Sequence, residues 1–168
     1  MARLKILQYP DERLHTVAEP VSAVTPEIRA LVDDMAETMY AAPGIGLAAT
    51  QVDVHKRIVI VDTSDSRDRL QVLINPRIVA RSGESDYEEG CLSLPGIFGK
   101  VTRAERITVE AWNREGAPFV LDAEGLFAVC IQHEMDHLEG RVFVEYWSRM
   151  KQERVQARLR KQRRKVAA

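Results

Sequence analysis

Long hydrophobic runs are missing from this chain. No apolar stretch comes near the roughly 20 residues that a membrane-crossing helix needs, so no span and no membrane partner are expected. The opening segment, MARLKILQYPDERL, has only short apolar pieces broken by charge. It does not read as a secretory leader, and the expected location is the cytoplasm. Cysteine is scarce: only Cys91 and Cys130 are present, too few for a disulfide-stapled secreted domain. In a reducing compartment both thiols are free, and a thiolate can bind metal. Histidine is scarce too, with four residues at 15, 55, 133 and 137. There is no internal repeat and no low-complexity segment.

What remains is an ordinary globular composition. The 168 residues, 45% hydrophobic and 29% charged, suit one domain with a core of its own. The net charge of −1 conceals an asymmetry, because Ser148 to Lys165 holds nine Lys or Arg and a single acid, Glu153. The organisation read from this is a single main domain over 1–147 followed by a basic helical tail over 148–168.

The periodicity predicts a first helix capped by Thr25, with Pro26 in its first turn and Ile28, Leu31, Val32, Met35 and Met39 on one face. Pro43-Gly44 should end it. Short β-branched runs at Ile58–Val61, Val72–Ile74 and Ile78–Ala80 predict strands. Thr108–Trp112 and Phe119–Leu121 read as a hairpin about Asn113-Arg114-Glu115-Gly116. A second helix, from about Glu124 to Leu138 and ended by Gly140, is apolar on most sides and so belongs in the middle of the domain. The expected fold class is α+β: short, mostly antiparallel strands around a central buried helix, with an N-terminal helix and a basic C-terminal helix.

That buried helix carries Gln132-His133-Glu134-Met135-Asp136-His137. His133 and His137 are four apart, so both imidazoles leave one face about one turn from each other and can reach one ion. Glu134 lies beside the first of them, where it can hold a water on that ion. An HExxH string also arises by chance on ordinary helices. Burying a charged, histidine-bearing face is costly without a partner such as a metal, which favours the functional reading.

A catalytic site of this kind needs a third protein ligand and an open position. Downstream, Glu139 is too close along the helix and no histidine follows. Upstream stands Cys91, in Glu89-Gly90-Cys91-Leu92-Ser93-Leu94-Pro95. Gly90 allows close backbone approach there, and Pro95 is expected to stop strand pairing. A lone cysteine in a strand is more often a small buried hydrophobe than a ligand, so the residues alone favour the buried hydrophobe for Cys91. Cys130 lies three residues before His133, a rise of about 4.5 Å, and its short side chain should line the pocket without reaching the ion. Were both cysteines bound, the site would be closed and structural.

Three segments together resemble the peptide deformylase family: Gly44-Ile45-Gly46-Leu47-Ala48-Ala49-Thr50-Gln51, Glu89-Gly90-Cys91-Leu92-Ser93-Leu94-Pro95, and Gln132-His133-Glu134-Met135-Asp136-His137-Leu138-Glu139-Gly140. Their order and spacing match the family, and the similarity runs from the N-terminus into the basic tail. The resemblance implies removal of the formyl group from the N-terminal formyl-methionine of new polypeptides, with release of formate. It implies Cys91, His133 and His137 as ligands of one divalent ion, ferrous iron in the cell, with zinc, nickel or cobalt as other occupants. A metal-bound water would attack the formyl carbon, with Glu134 as base and acid and Gln51 and the Leu92 N–H stabilising the oxyanion. The methionine would be held by Ile45, Glu89, Leu126, Val129, Cys130 and part of His133. Gly46 and Gly90 would keep larger acyl groups out.

The resemblance pairs Asp136 with Arg103 as a structural contact. Gly96-Ile97-Phe98-Gly99 departs from members that carry a basic residue at the position of Phe98. The tail from about Val144 to Lys165 reads as a basic helix, and the resemblance implies docking on the ribosome. The chain is expected to be a monomer. Two other readings compete: an HExxH metallopeptidase, and a non-catalytic metal-stabilised ribosome-binding module with both cysteines on the metal.

Overall fold

A computed structural model describes residues 2–167. The first helix, α1 (Pro26–Ala41), is built as its sequence dictates. The Thr25 side chain accepts from the Ile28 N–H at its start, and Ile28, Val32, Met35 and Met39 face the core. Seven strands follow among the described residues: β1 (Gly46–Ala48), β2 (Ile58–Val61), β3 (Gln71–Ser82), β4 (Ser85–Cys91), β5 (Leu94–Arg103), β6 (Arg106–Trp112) and β7 (Pro118–Glu124). They form a five-stranded sheet in the order β1-β2-β3-β6-β7 and a separate β4–β5 hairpin, with every strand pair antiparallel.

The central helix α2 (Gly125–Leu138) begins just after Glu124 and ends before Gly140, which takes a left-handed φ of 75°. Ala128, Cys130, Ile131 and Leu138 of α2 pack on Val59, Val61, Leu73, Val109 and Ala123 of the sheet. On the opposite face of the sheet, α1 packs against Leu47, Ile58, Ile60 and Ile74. The sheet thus lies between the two helices, and its β2 strand is buried at every position. No helix among the described residues is long and apolar enough to cross a membrane.

The expected fold class is the observed one, but three details differ from the sequence reading. Val72–Ile74 and Ile78–Ala80 belong to one strand, β3, which passes through Asn75-Pro76 with a register shift and a φ of 52° at Asn75. Such an irregularity accommodates the missing proline N–H. Pro95 does not end pairing; it lies inside β5, where the register with β4 jumps from Cys91↔Leu94 to Glu89↔Gly99. The basic helix α3 (Arg149–Ala167) starts later than expected, because Phe143–Tyr146 forms a separate turn of 3-10 helix first. Val155 and Leu159 of α3 are buried with Leu7, Leu14, Val101 and Phe143, so the helix shares a core with the rest of the chain.

Candidate metal centre

Two elements bring the three donors together. His133 and His137 point from one face of α2, their rings 5.2 Å apart and 72° to each other. Cys91 ends β4, and the two-residue tip Leu92-Ser93 turns the chain into β5. The donor atoms of Cys91, His133 and His137 all lie within 4.8 Å of one another. Cys91 Sγ is 3.4 Å from His137 Nε2. For a tetrahedral ion with bonds of about 2.3 Å to sulfur and 2.05 Å to nitrogen, that edge would be about 3.6 Å, so the cluster fits a single small cation. Cys130 is not part of it; its Sγ is directed at the Ile45 carbonyl, 3.7 Å away.

The surroundings orient the donor side chains. His133 Nδ1 is 2.8 Å from Glu89 Oε1, which leaves the other ring nitrogen for the ion. Arg103 binds Glu89 through two bonds of 2.8 and 2.9 Å and reaches Asp136 Oδ2 at 2.5 Å. Tyr146 donates its hydroxyl to the same Asp136 oxygen at 2.8 Å. Burial opposes ionisation of Glu89, yet its bonds to Arg103 and His133 hold its carboxyl below the usual range. Burial opposes a charge on His133 as well, and is outweighed by Cys91, Glu134 and Glu89, which raise it. His137 is pushed down by burial and by the neighbouring His133.

Among the described residues of the cluster, Glu134 Oε1 and His137 Nδ1 are buried without a hydrogen-bond partner. Burial pushes the Glu134 pKa up to about 7, where a carboxyl can both accept and return a proton. A Cβ on Gly46 would lie 2.5 Å from Glu134 Oε2 and 2.8 Å from Cys130 Sγ, so only glycine fits at that position. The bare Cα of Gly90 instead faces the Phe98 ring, at 2.6 Å from where its Cβ would stand. Its smallness therefore serves the packing of Phe98.

Gln51 is buried in a turn of 3-10 helix at Ala49–Val52. Its Oε1 accepts from the Ala48 N–H, and its Nε2 donates to Ser93 Oγ at 3.1 Å and lies 3.4 Å from Cys91 Sγ. Ser93 is a neighbour that sequence reasoning did not single out. A cleft of about 590 Å³ opens onto the cluster, lined among others by Ile45, Gly46, Glu89, Gly90, Leu92, Leu126, Val129, Cys130, His133 and Glu134. All the residues expected around methionine are thus on one cleft. A larger cavity of about 850 Å³ lies on the other side of α2, behind Arg103 and Asp136, and touches none of the three donors.

The chain matches the family described as Polypeptide deformylase over residues 3–153. It is 64% identical to "Peptide deformylase 2" of Nitrosomonas europaea over 168 residues, 100% of this chain and 91% of that protein. It is 61% identical to a peptide deformylase of Chromobacterium violaceum over 161 residues, 96% of each. Among solved structures, a peptide deformylase from Legionella pneumophila superposes with a TM-score of 0.95 at 44% identity, covering 99% of this chain and 98% of that one. A peptide deformylase from Ehrlichia chaffeensis in complex with actinonin gives 0.93 at 41% identity, covering 96% and 98%.

Proposed function

The chain belongs to the polypeptide deformylase family, and from that premise we propose how its own residues remove the N-terminal formyl group of new polypeptides. It is a metal-dependent hydrolase. Cys91, His133 and His137 hold the ion, for which we propose ferrous iron, with zinc, nickel or cobalt able to replace it. When bound there, the ion supplies a Lewis acid and brings the pKa of a water down towards 7.

Glu134 takes the proton from the attacking water and returns it to the nitrogen of the departing amine. Gln51 Nε2 and the Leu92 N–H are the donors for the formyl oxygen as it becomes negative. Glu89 holds the His133 ring in the orientation that presents its free nitrogen, and Arg103 holds Glu89. Leu126, Val129 and Cys130, recurring along α2 on the cleft side, form an apolar wall for the methionine side chain. Ile45 stands opposite at the mouth. Gly46 keeps the space beside Glu134 small, which suits formyl, the smallest acyl group.

The observation that carries this reading is the unpartnered, buried Glu134 beside a three-donor cluster at the end of an apolar cleft. Replacing Glu134 by Ala should leave the ion bound and lower formate release by about 10²- to 10⁴-fold. Retained turnover would sink the assigned role. Replacing Cys130 by Ser should leave the metal content unchanged; its loss would favour a closed, structural site. Metal analysis of anaerobically purified protein, with activity per ion, tests the choice of iron.

We further propose that the chain works as a cytoplasmic monomer and docks on the ribosome through the outer face of α3. The supporting feature is its unbalanced positive charge. Because Val155 and Leu159 are core residues, charge reversal is a cleaner test than truncation. Reversing Arg160, Lys161, Arg164 and Lys165 to Glu should abolish co-sedimentation with ribosomes at moderate salt. Unchanged co-sedimentation refutes the docking.

A further inference from the structure

We propose that the groove between β5 and α3 is a second peptide subsite, continuous with the catalytic cleft, which receives the downstream part of a formylated polypeptide and favours acidic residues interspersed with apolar ones. The proposal rests on the deformylase reading and adds a preference to it.

The geometry begins at the irregular stretch of β5. Between Cys91↔Leu94 and Glu89↔Gly99 the register jumps, so Pro95–Phe98 bulges from the hairpin opposite Gly90. Gly96 and Phe98 line the cleft that holds the metal cluster. Phe98 also lines a second depression of about 390 Å³, on the side of β5 that faces α3. One side chain is therefore shared by both, and it is 63% exposed. α3 runs alongside this wall: a Cβ on Gly96 would lie 3.1 Å from Gln162 Nε2, and one on Gly99 would strike the Trp147 ring. A chain leaving the cleft over Phe98 thus meets the groove next.

The lining of the groove has two chemistries. Met150 and Phe98 are 64% and 63% exposed and, with the partly buried Trp147, give the groove apolar surface. Lys151, Arg154 and Arg158 supply the charge. Lys151 Nζ sits over the Trp147 ring at 3.7 Å, and Arg154 Nη2 lies 3.6 Å from the Met150 sulfur. Among the described residues none of the three cations has an ion-pair partner, and the helix's one acid, Glu153, faces Arg149 at 3.6 Å. Glu88 lines the cleft but not the groove. The potential therefore turns positive along the path a peptide would take, and an acidic segment gains there what a basic one loses. This preference differs from that of the cleft, where methionine needs an apolar pocket.

The test uses the metal-loaded, full-length protein and two classes of substrate. Short formyl-Met tripeptides occupy the cleft alone. Long formyl-Met peptides carry either Glu-Phe or Lys-Phe repeats beyond the third residue. Acidic long peptides should show a kcat/KM about fivefold above basic ones, carried by KM, with the ratio falling as salt rises. The double variant Arg154→Glu, Arg158→Glu should reverse that ratio, and Met150→Ser should reduce turnover of both long peptides relative to the tripeptide. Both changes lie on exposed positions and leave the tripeptide rate as it was. Equal rates for the acidic and basic peptides overturn the inference. So does a ratio that survives the double variant, including the case in which that variant loses only binding to RNA. Failure of the tripeptide itself to release formate would instead refute the underlying functional reading.

Discussion

Replacing Arg103 by Met should destabilise the protein far more than the loss of one surface charge. The Arg103 and Glu89 side chains are 4% and 5% exposed, and Arg103 also reaches Asp136. Methionine keeps much of the alkyl volume and removes the guanidinium, leaving the Glu89 carboxylate buried with only His133 to meet it. Breaking a buried pair from one side costs about 3–5 kcal/mol. That is a large part of a total stability of about 5–15 kcal/mol, and for a chain of this length it lowers Tm by about 10 °C. The assay is urea unfolding of the apo and metal-loaded protein under reducing conditions. The double replacement Arg103→Met, Glu89→Met should recover a good part of the apo stability, because no buried charge is stranded on Glu89. Metal affinity should not recover: His133 then lacks the carboxylate that orients its ring, at a cost of about 10- to 100-fold. An Arg103→Met protein within about 1 kcal/mol of the parent would refute the argument that this network is one coupled unit.

Three further outcomes follow from particular contacts. Gly46→Ala should cut formate release by at least about tenfold while the ion stays bound, since the new methyl displaces Glu134 or Cys130; an unchanged rate per bound ion would contradict that crowding. Asp62 accepts from Tyr40 Oη at 2.6 Å, from Ser64 N and Oγ at 2.9 and 2.6 Å, and from Arg69 N at 3.2 Å. Burial works against these bonds, but they hold its pKa at about 2, below the ordinary 3.8 of an aspartate, so its contribution is complete above about 3.8 and is lost as pH falls through 2. Asp62→Asn should cost about 1–3 kcal/mol at neutral pH, and urea titrations should show the gap to the parent narrowing across that acid window. Leu159→Ala should cost about 2–5 kcal/mol and lower the midpoint of the whole chain in one transition; separate melting of α3 would show that helix to be an independent appendage.

The helices were legible because their signals are local. Thr25 and Pro26 start α1, and Gly140 closes α2, each through chemistry confined to a few residues. The β6–β7 hairpin announced itself through Asn113 and Gly116, where Asn113 Oδ1 accepts from the Glu115 and Ala117 N–H groups. The β4–β5 hairpin was harder. Its strands alternate poorly, carry glycine at 90, 96 and 99, and expose Tyr87 and Phe98. What orders it is packing from elsewhere in the chain, with Trp147 set against Gly99 and bonded through Nε1 to the Lys100 carbonyl. Likewise β3 read as two pieces because Pro76 cannot donate. The Asn75 side chain bonds both backbone groups of Val21 and anchors the irregular turn of the strand there.

The same division between local and distant runs through the metal centre. The spacing of His133 and His137 is a property of any helix, so that part of the cluster could be read from five residues. Cys91 joins them only because a hairpin tip is brought over the α2 face, which no spacing rule encodes; its motif and company were needed to single it out. Glu89 shows the limit most clearly. The resemblance implies a place for it beside the methionine, and it lines the cleft of about 590 Å³ next to the donor cluster. Its two strongest contacts are nevertheless with Arg103, on the opposite strand, and with His133, on the helix. In register Glu89 lies opposite Gly99, not Arg103, so the pair is made by side chains reaching along the hairpin. Under the proposed function, a carboxylate that both borders the substrate and orients a metal ligand would couple the two tasks. A change that enlarges the cleft at Glu89 would then also loosen the proposed ion, so the proposed methionine pocket should vary through Ile45, Leu126 and Val129, which line the cleft and take no part in the Glu89–His133 contact.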